Sequence, residues 1–484
     1  MTDLAVLAPM LLALLTALAV AVAGARRADA LNAGGSCLTA AAALVLCAVA
    51  AARHDDPLRG SWYALDAAGG AFLAVIAVVG LLSALASPSH LRGTTGSFFG
   101  TRAPRRSYYV ALQCFWAVLL AIPLVDNVAV GWILVEATTA FSALLVASGG
   151  RRRALEAGWK YLVLTTLGLT VALLGILVLY VGLGSGGSLA RLDFTAIHAS
   201  HGPSREQAVL ALVLILGGLA TKIGWAPVHN WLPDAHSEAP PPVSALLSAA
   251  LLPTVMLVAW RTQLALAPAA GGAGAAVFAG FGLASLAVAV PFLWRALPLK
   301  RLLAYSSLEH MGILALGIGF ANPLATAGVI IHVAGHALAK SLGFYAAIPL
   351  GRDGAGSDAP VSLNSTSPAG ATAVGVSLAS LSGMPPAPLF VSELLILAGG
   401  FAAGDTAVAI AATLLLALGF LGLAHALIEA TAGDRAPRGD RNRRTERRLG
   451  ALTAGVVVAQ LGLVVAAFAL VGSPLLADLM GSVA

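Results

Sequence analysis

Lys222 stands in an apolar stretch that soon breaks: Leu216-Gly-Gly-Leu-Ala-Thr-Lys222-Ile-Gly-Trp-Ala-Pro227-Val-His229-Asn-Trp-Leu-Pro233-Asp234-Ala-His236-Ser-Glu238-Ala-Pro240-Pro-Pro242. An ammonium inside a hydrocarbon-length segment is costly and persists only where protein groups or water solvate it. Pro227 has no N–H, and its ring clashes with the carbonyl of Ile223, so the helix is expected to open within a turn of the charge. A buried charge beside a broken helix is a site suited to moving an ion.

Four other places carry chemistry of the same kind. Glu136 lies mid-segment in Val128-Ala-Val-Gly-Trp-Ile-Leu-Val-Glu136-Ala-Thr-Thr, with no carboxylate near it in sequence. A buried carboxyl alone stays protonated, and beside a lysine it ionises, so its charge is conditional. The bland reading is a structural hydrogen bond between helices. In Ile331-His332-Val-Ala-Gly-His336-Ala-Leu-Ala-Lys340-Ser341 three titratable groups recur every four residues. They share one helix face and cover ~12 Å of rise. A lone histidine there reads as structural; three groups in a row read as a proton path. Glu393 follows the interruption Pro385-Pro386-Ala-Pro388 by about one turn, where freed carbonyls admit water. It is expected to be a terminal proton group, the alternative being a carboxylate held by a helix N-terminus. Glu309 and His310, in Tyr305-Ser-Ser-Leu-Glu309-His310-Met-Gly, open a segment and are expected near the membrane interface.

No metal site is expected. His198 and His201 form an isolated pair, and His229, Asp234, His236 and Glu238 are interspersed with prolines that suit a rigid packed loop. Cys37, Cys47 and Cys114 lack metal or iron–sulfur spacing, and no phosphate-cradling glycine loop occurs, so no cofactor is expected and catalysis by this chain alone is not indicated.

The elements that position these groups follow from composition. Of 484 residues 59% are hydrophobic and only 10% charged, where soluble proteins carry roughly 25%. Mean hydropathy is +0.89. This is an all-α polytopic membrane protein. The pI of 9.5 reflects arginines between hydrophobic spans, not nucleic-acid binding. About 14 segments reach spanning length at roughly 20 residues each: 3–24, 31–52, 66–87, 107–125, 127–149, 161–184, 207–226, 243–265, 272–294, 301–320, 323–350, 369–403, 406–430 and 449–476. The first is acidic at Asp3 and followed by Arg26 and Arg27, unlike a cleaved signal. The segment 369–403 is too long for one simple span and must break at its prolines. Broken spans seven and twelve lie five apart, which places two five-span units in opposite orientation, an inverted repeat. The resulting division is 1–106, 107–265, 272–430 and 431–484 within a single transmembrane domain.

Basic residues set the orientation. One set of loops carries Arg26 and Arg27; Arg92, Arg102, Arg105 and Arg106; Arg151, Arg152, Arg153 and Lys160; Arg295, Lys300 and Arg301; Arg352; and the arginines of 435–448. The opposite set carries only Arg53, Arg59, Arg191, Arg205 and Arg261. That bias places both termini on the non-cytoplasmic side of the cell inner membrane. The 435–448 run reads as a topology signal, or as a docking point for a cytoplasmic partner.

The run from Lys222 to Ser248 is similar to a signature of the proton-translocating antiporter-like subunits. These include chain M of respiratory NADH-quinone oxidoreductase, subunits of multisubunit cation/proton antiporters and membrane subunits of energy-converting hydrogenases. Lys300-Arg-Leu-Leu-Ala-Tyr-Ser-Ser-Leu-Glu-His-Met-Gly, the run from Ile331 to Ser341, and Gly383-Met-Pro-Pro-Ala-Pro-Leu-Phe-Val-Ser-Glu393 resemble three further motifs of that superfamily, in order. The Val-Glu136-Ala-Thr-Thr, Ser-Glu-Ala-Pro and Leu-Glu-His-Met-Gly runs look most like hydrogenase-4 component F. The resemblance implies 14 helices with inverted five-helix repeats, and proton transfer along Glu136, Lys222, Lys340 and Glu393, with His332, His336 and His310 as further carriers. It implies other membrane subunits and a peripheral redox module as partners. Glu393, rather than lysine, matches the chain M pattern. One departure is Pro253, where chain M carries a lysine in the eighth span; His310 or water then has to bridge. The long lateral helix of the largest such subunits is not expected. Two other functions share the resemblance: a cation/proton antiporter subunit, and a membrane scaffold of an inorganic-carbon uptake complex.

Overall fold

The computed structural model describes residues 3–53, 57–60, 62–92, 104–149, 151–184, 188–200, 203–350, 367–432 and 443–471. The expectations for Arg102, His201, Arg352, Arg435, Arg438 and Arg441 fall outside these residues. The chain begins with helices α1 (Asp3–Val22), α2 (Ala25–Ala51) and α3 (Ala67–Leu91), then α4 (Pro104–Ala121), α5 (Val128–Ala147), α6 (Arg152–Gly182), α7 (Phe194–Ala199) and α8 (Arg205–Ile223). Short helices α9 (Leu232–Glu238) and α10 (Pro241–Leu246) follow, and a π turn (Leu247–Leu251) joins α10 to α11 (Leu252–Ala270). Then come α12 (Ala273–Leu293), α13 (Leu299–Gly319), α14 (Pro323–Leu350), α15 (Pro368–Leu381), α16 (Pro388–Ala402), α17 (Thr406–Ala432) and α18 (Arg443–Val471). A small antiparallel hairpin, β1 (Leu58–Arg59) with β2 (Ala64–Leu65), is the sheet among the described residues.

Among the described residues, thirteen helices are long and apolar enough to cross a membrane. The twelfth expected segment, 369–403, is not one of them: it is divided into α15 and α16, as its prolines require. The seventh is divided as well. α8 starts at a capping box, Ser204 with Gln207, and stops at Gly224, whose φ of 79° is left-handed. Lys222 is therefore one residue from the helix end.

Burial sorts the helices into a centre and a rim. The apolar windows of α13 and of the continuous rod Pro241–Ala270 are 100% buried, whereas those of α12 and α17 are 33% buried. The rim displays Leu174, Leu177, Val181, Leu414, Val458 and Val465 outward, a surface that only lipid solvates without cost. Centre and rim meet through α6 against α8, α12 against α13, and α14 against α16.

At one end the pieces are tied by charge. Arg261 pairs with Asp66 at 2.9 Å and donates to the Pro123 carbonyl at 2.9 Å, joining α11, the N-terminus of α3 and the α4–α5 junction. Asn127 caps α5 by accepting from the N–H groups of Ala129 and Val130, and its amide donates to Asp193 at 2.7 Å. That cap fixes the register of α5 and so the height of Glu136.

Candidate functional site

The Lys222 ammonium is fully buried. Its Nζ donates to Thr139 Oγ1 at 2.8 Å and to the Tyr161 hydroxyl, and lies 4.5 Å from the centre of the Tyr161 ring, a cation–π distance. Tyr161 is linked to Ser142 Oγ at 2.7 Å. Its ring packs at 4.6 Å from that of Trp231, in the break after α8. Trp231 Nε1 donates to the Thr221 carbonyl at 2.6 Å, and Trp225 Nε1 to the Met311 carbonyl at 2.8 Å. Two tryptophans thus pin the broken segment, one satisfying a carbonyl of the last turn of α8.

Glu136 accepts from Thr166 Oγ1 at 2.9 Å through Oε1, while its Oε2 is buried with no protein partner. Direct pairing of Glu136 with Lys222 is not among the ion pairs of the described residues. Thr139, one turn beyond Glu136 on the same helix, takes the ammonium instead.

The second cluster is built from α13, α14 and α16. Lys340 is fully buried, and its Nζ donates to the Leu303 carbonyl at 2.6 Å. His310 Nδ1 and His332 Nε2 are 3.1 Å apart, and His332 Nδ1 is 2.9 Å from Ser392 Oγ. Ser392 donates its one hydroxyl hydrogen to the Leu389 carbonyl at 2.8 Å, so its oxygen accepts from His332 Nδ1–H. His332 Nε2 then bears a lone pair, and His310 Nδ1–H donates to it. A carboxylate oxygen of Glu393 lies within 4.8 Å of a nitrogen of each ring. The His336 ring centre is 5.1 Å from that of His310.

The interfacial placement expected for Glu309 and His310 is incorrect. They sit in the middle of α13, 3% and 1% exposed. The reason is that α13 begins at Leu299 and is enclosed by protein on every side, so Lys300 and Arg301, not Glu309, mark its end. Glu309 Oε1 abuts Gly419 of α17, where a Cβ would collide with it.

Between the clusters runs a polar seam. Ser307 Oγ donates to the Leu303 carbonyl at 2.9 Å, the oxygen that Lys340 also uses, and meets Ser248 Oγ at 2.7 Å. Ser248 belongs to the π turn just before Pro253. Pro253 has no N–H to offer, and a π turn is a local way to reroute the ladder around it. So the eighth span, without its lysine, presents a hydroxyl. His236 was set aside with the proline-rich loop, yet it is fully buried and stacks on Phe344 of α14 at 5.5 Å. Both nitrogens of His236 and of His336, Glu309 Oε2, His310 Nε2 and Ser306 Oγ are buried without protein partners. Such groups are costly unless water completes them, so the seam is wettable.

The geometry therefore gathers Lys222 with the Glu136 helix, and Lys340, His336, His332, His310 and Glu393 with one another. Thr139, Tyr161, Ser248, Ser307, Ser392 and His236 escaped sequence reasoning. The first four are uncharged and come from helices distant in sequence; only the unusual pairing of Pro253 with an upstream serine hinted at one of them.

Comparison with known proteins places the chain in a family and a fold. A family profile described as NADH:quinone oxidoreductase/Mrp antiporter, TM, matches residues 126–419. The hydrogenase-4 component F homolog of Methylacidiphilum infernorum is 32% identical over 394 residues, covering 79% of this chain and 81% of that one. NADH-quinone oxidoreductase subunit N of Desulforudis audaxviator is 31% identical over 294 residues, 58% of this chain and 55% of that one. The fold is shared with a chain of the archaeal membrane-bound sulfane sulfur reductase, with a TM-score of 0.85 at 19% identity over 100% of this chain and 98% of that one. It is shared also with a chain of the Mrp complex from Dietzia sp., with a TM-score of 0.80 at 20% identity over 100% and 97%. Four motifs, two broken helices and a buried line of amines, imidazoles and carboxyls lead to one assignment: the chain belongs to the NADH:quinone oxidoreductase/Mrp antiporter transmembrane family.

Proposed function

We propose that this chain is the proton-translocating membrane subunit of a redox-coupled complex of the hydrogenase-4 or NADH-quinone oxidoreductase kind. One observation carries the reading. Lys222 and Lys340 are buried amines held by neutral oxygens, the hydroxyls of Thr139 and Tyr161 and the carbonyl of Leu303, with no carboxylate in contact. An amine so placed has no fixed counter-ion, so its charge depends on what its neighbours carry. Protons would pass from the Glu136–Lys222 pocket along the Ser248–Ser307 seam to Lys340, then over His336, His310 and His332 to Glu393.

The chain is multi-pass. We place it in the inner membrane with both termini on the non-cytoplasmic side, on the arginine bias of its loops. The two five-span units form an inverted repeat in this reading. It is supported by the equivalent packing of α6 on α8 and α14 on α16, each pair involving a broken span. Partner membrane subunits and a peripheral redox module supply the driving reaction, because this chain's three cysteines are free and scattered.

The test is proton uptake by inside-out membrane vesicles from the native host. Uptake driven by the electron donor of the complex, and lost when this chain alone is deleted, supports the reading. Uptake driven equally by an imposed sodium gradient without any electron donor sinks it in favour of an antiporter.

A further inference from the structure

The cluster formed by His310, His332 and Glu393 has the make-up of a metal site as well as of a proton path. Its donors are two imidazole nitrogens and a carboxylate oxygen, all within 4.8 Å of one another. We propose that it binds one divalent cation of the zinc class, held by His310 Nδ1, His332 Nε2 and a Glu393 oxygen. The two nitrogens are 3.1 Å apart. Ligands about 2.0–2.1 Å from one tetrahedral ion stand roughly 3.3 Å apart. The hydrogen-bonded spacing is thus close to the coordinated one.

The surroundings favour the same occupant. Ser392 holds His332 Nδ1–H at 2.9 Å, which leaves the Nε2 lone pair aimed into the cluster, as the outer partner of a metal-bound histidine does. His310 can turn its lone pair inward by carrying its proton on Nε2 instead, a buried atom that no protein hydrogen bond commits to either tautomer. Two imidazoles and one carboxylate suit a borderline ion such as Zn²⁺ and leave a fourth position open. They do not suit Mg²⁺ or Ca²⁺, which need oxygen-rich shells.

Charge is balanced locally. The dication meets the Glu393 carboxylate, and the nearby Glu309 has a buried Oε2 with no partner. Access is through the α15–α16 break: Glu393 lies against Gly383, and the next residue, Met384, is 38% exposed. The donors come from three helices 22 and 60 or more positions apart, so no linear spacing announces them. A cation here displaces the hydrogen shared by the two rings and so competes with proton transfer; only that consequence rests on the proposed relay.

The experiment uses the purified full chain in detergent, titrated with Co²⁺ as a visible probe and with Zn²⁺ as competitor. Wild type is expected to take up one Co²⁺ displaced by Zn²⁺, with the intense ligand-field bands of a four-coordinate ion. His332→Gln and Glu393→Gln should each weaken binding at least tenfold. Ser392→Ala, which removes only a hydroxyl, should weaken it about 10- to 100-fold by releasing the ring. Replacing the exposed His198 with Ala should change nothing. No uptake by wild type, or undiminished uptake by the His310→Gln/His332→Gln double variant, overturns the proposal. Zinc-insensitive proton uptake with binding intact keeps the metal site and removes the relay from these residues.

Discussion

Lys340 and Ser307 donate to the same acceptor, the carbonyl oxygen of Leu303, at 2.6 and 2.9 Å. The amine of α14 and the hydroxyl that faces the π turn are thereby coupled through one backbone atom. Ser307 in turn meets Ser248 at 2.7 Å, so hydrogen bonds run from Lys340 to the rod Pro241–Ala270. Ser248→Ala with Ser307→Ala is expected to slow proton uptake at least several-fold while leaving both lysines buried. Uptake rates in vesicles with matched amounts of inserted protein are the check, and an unchanged rate removes the seam from the path.

Lys222→Met should abolish coupled proton uptake. The thioether keeps most of the volume and removes the titratable amine, leaving the hydroxyls of Thr139 and Tyr161 to water. Losing a charge-assisted partner costs each hydroxyl about 1–3 kcal/mol, small enough for insertion to survive. Normal uptake by a correctly inserted variant contradicts the role of Lys222.

Glu136 and Lys222 are not joined by an ion pair, and Thr139, one turn from Glu136, holds the amine; we expect the two charges to be coupled across it. In a double-mutant cycle on uptake rate, Glu136→Gln and Lys222→Met should be non-additive by about 0.5–3 kcal/mol. The coupling should shrink when Thr139 is also replaced by Val. Full coupling in the Thr139→Val background points to a direct pair that the described geometry lacks.

Gly419→Ala tests Glu309 without touching a titratable group. A methyl on α17 at that point collides with the Glu309 carboxyl and must push it aside. Uptake is expected to fall several-fold with the chain still assembled. Gly419→Ala with wild-type uptake means that the placement of Glu309 is immaterial.

Orientation is open to labelling. A cysteine introduced within 435–448, in a background lacking Cys37, Cys47 and Cys114, should react with a membrane-impermeant thiol reagent in inside-out vesicles and be shielded in whole cells. The reverse pattern inverts the assignment.

Much of this was legible in the linear chain because proline and charge act locally. Pro227 forced the end of α8 beside Lys222, and Pro385, Pro386 and Pro388 forced the α15–α16 division; both follow from a missing N–H and a ring clash. The stripe of His332, His336 and Lys340 needed only helical periodicity. Glu309 and His310 were misplaced because a hydropathy boundary marks where charges sit, not where a helix lies among its neighbours. Tyr161 could not be assigned to Lys222, being 61 residues away on a helix whose outward faces look purely lipidic. That Thr139 rather than Glu136 meets the Lys222 amine was not legible for a related reason: one turn of α5 decides which side chain touches it, and sequence spacing does not resolve a turn across two helices.

The links from His310 to His332, from His332 to Ser392 and from Ser392 to the Leu389 carbonyl all have their hydrogens aligned in one direction. A line aligned this way behaves as a turnstile. On the proposed relay, a hydrogen handed from His310 to His332 would leave the link between the two rings facing backward, and a second passage would wait for the rings to turn again. The Leu389 carbonyl ends the line without passing anything on, so Ser392 acts as a latch that favours the starting alignment. On the proposed relay, the resetting of the two rings would then enter the rate at this point alongside the hop of a hydrogen.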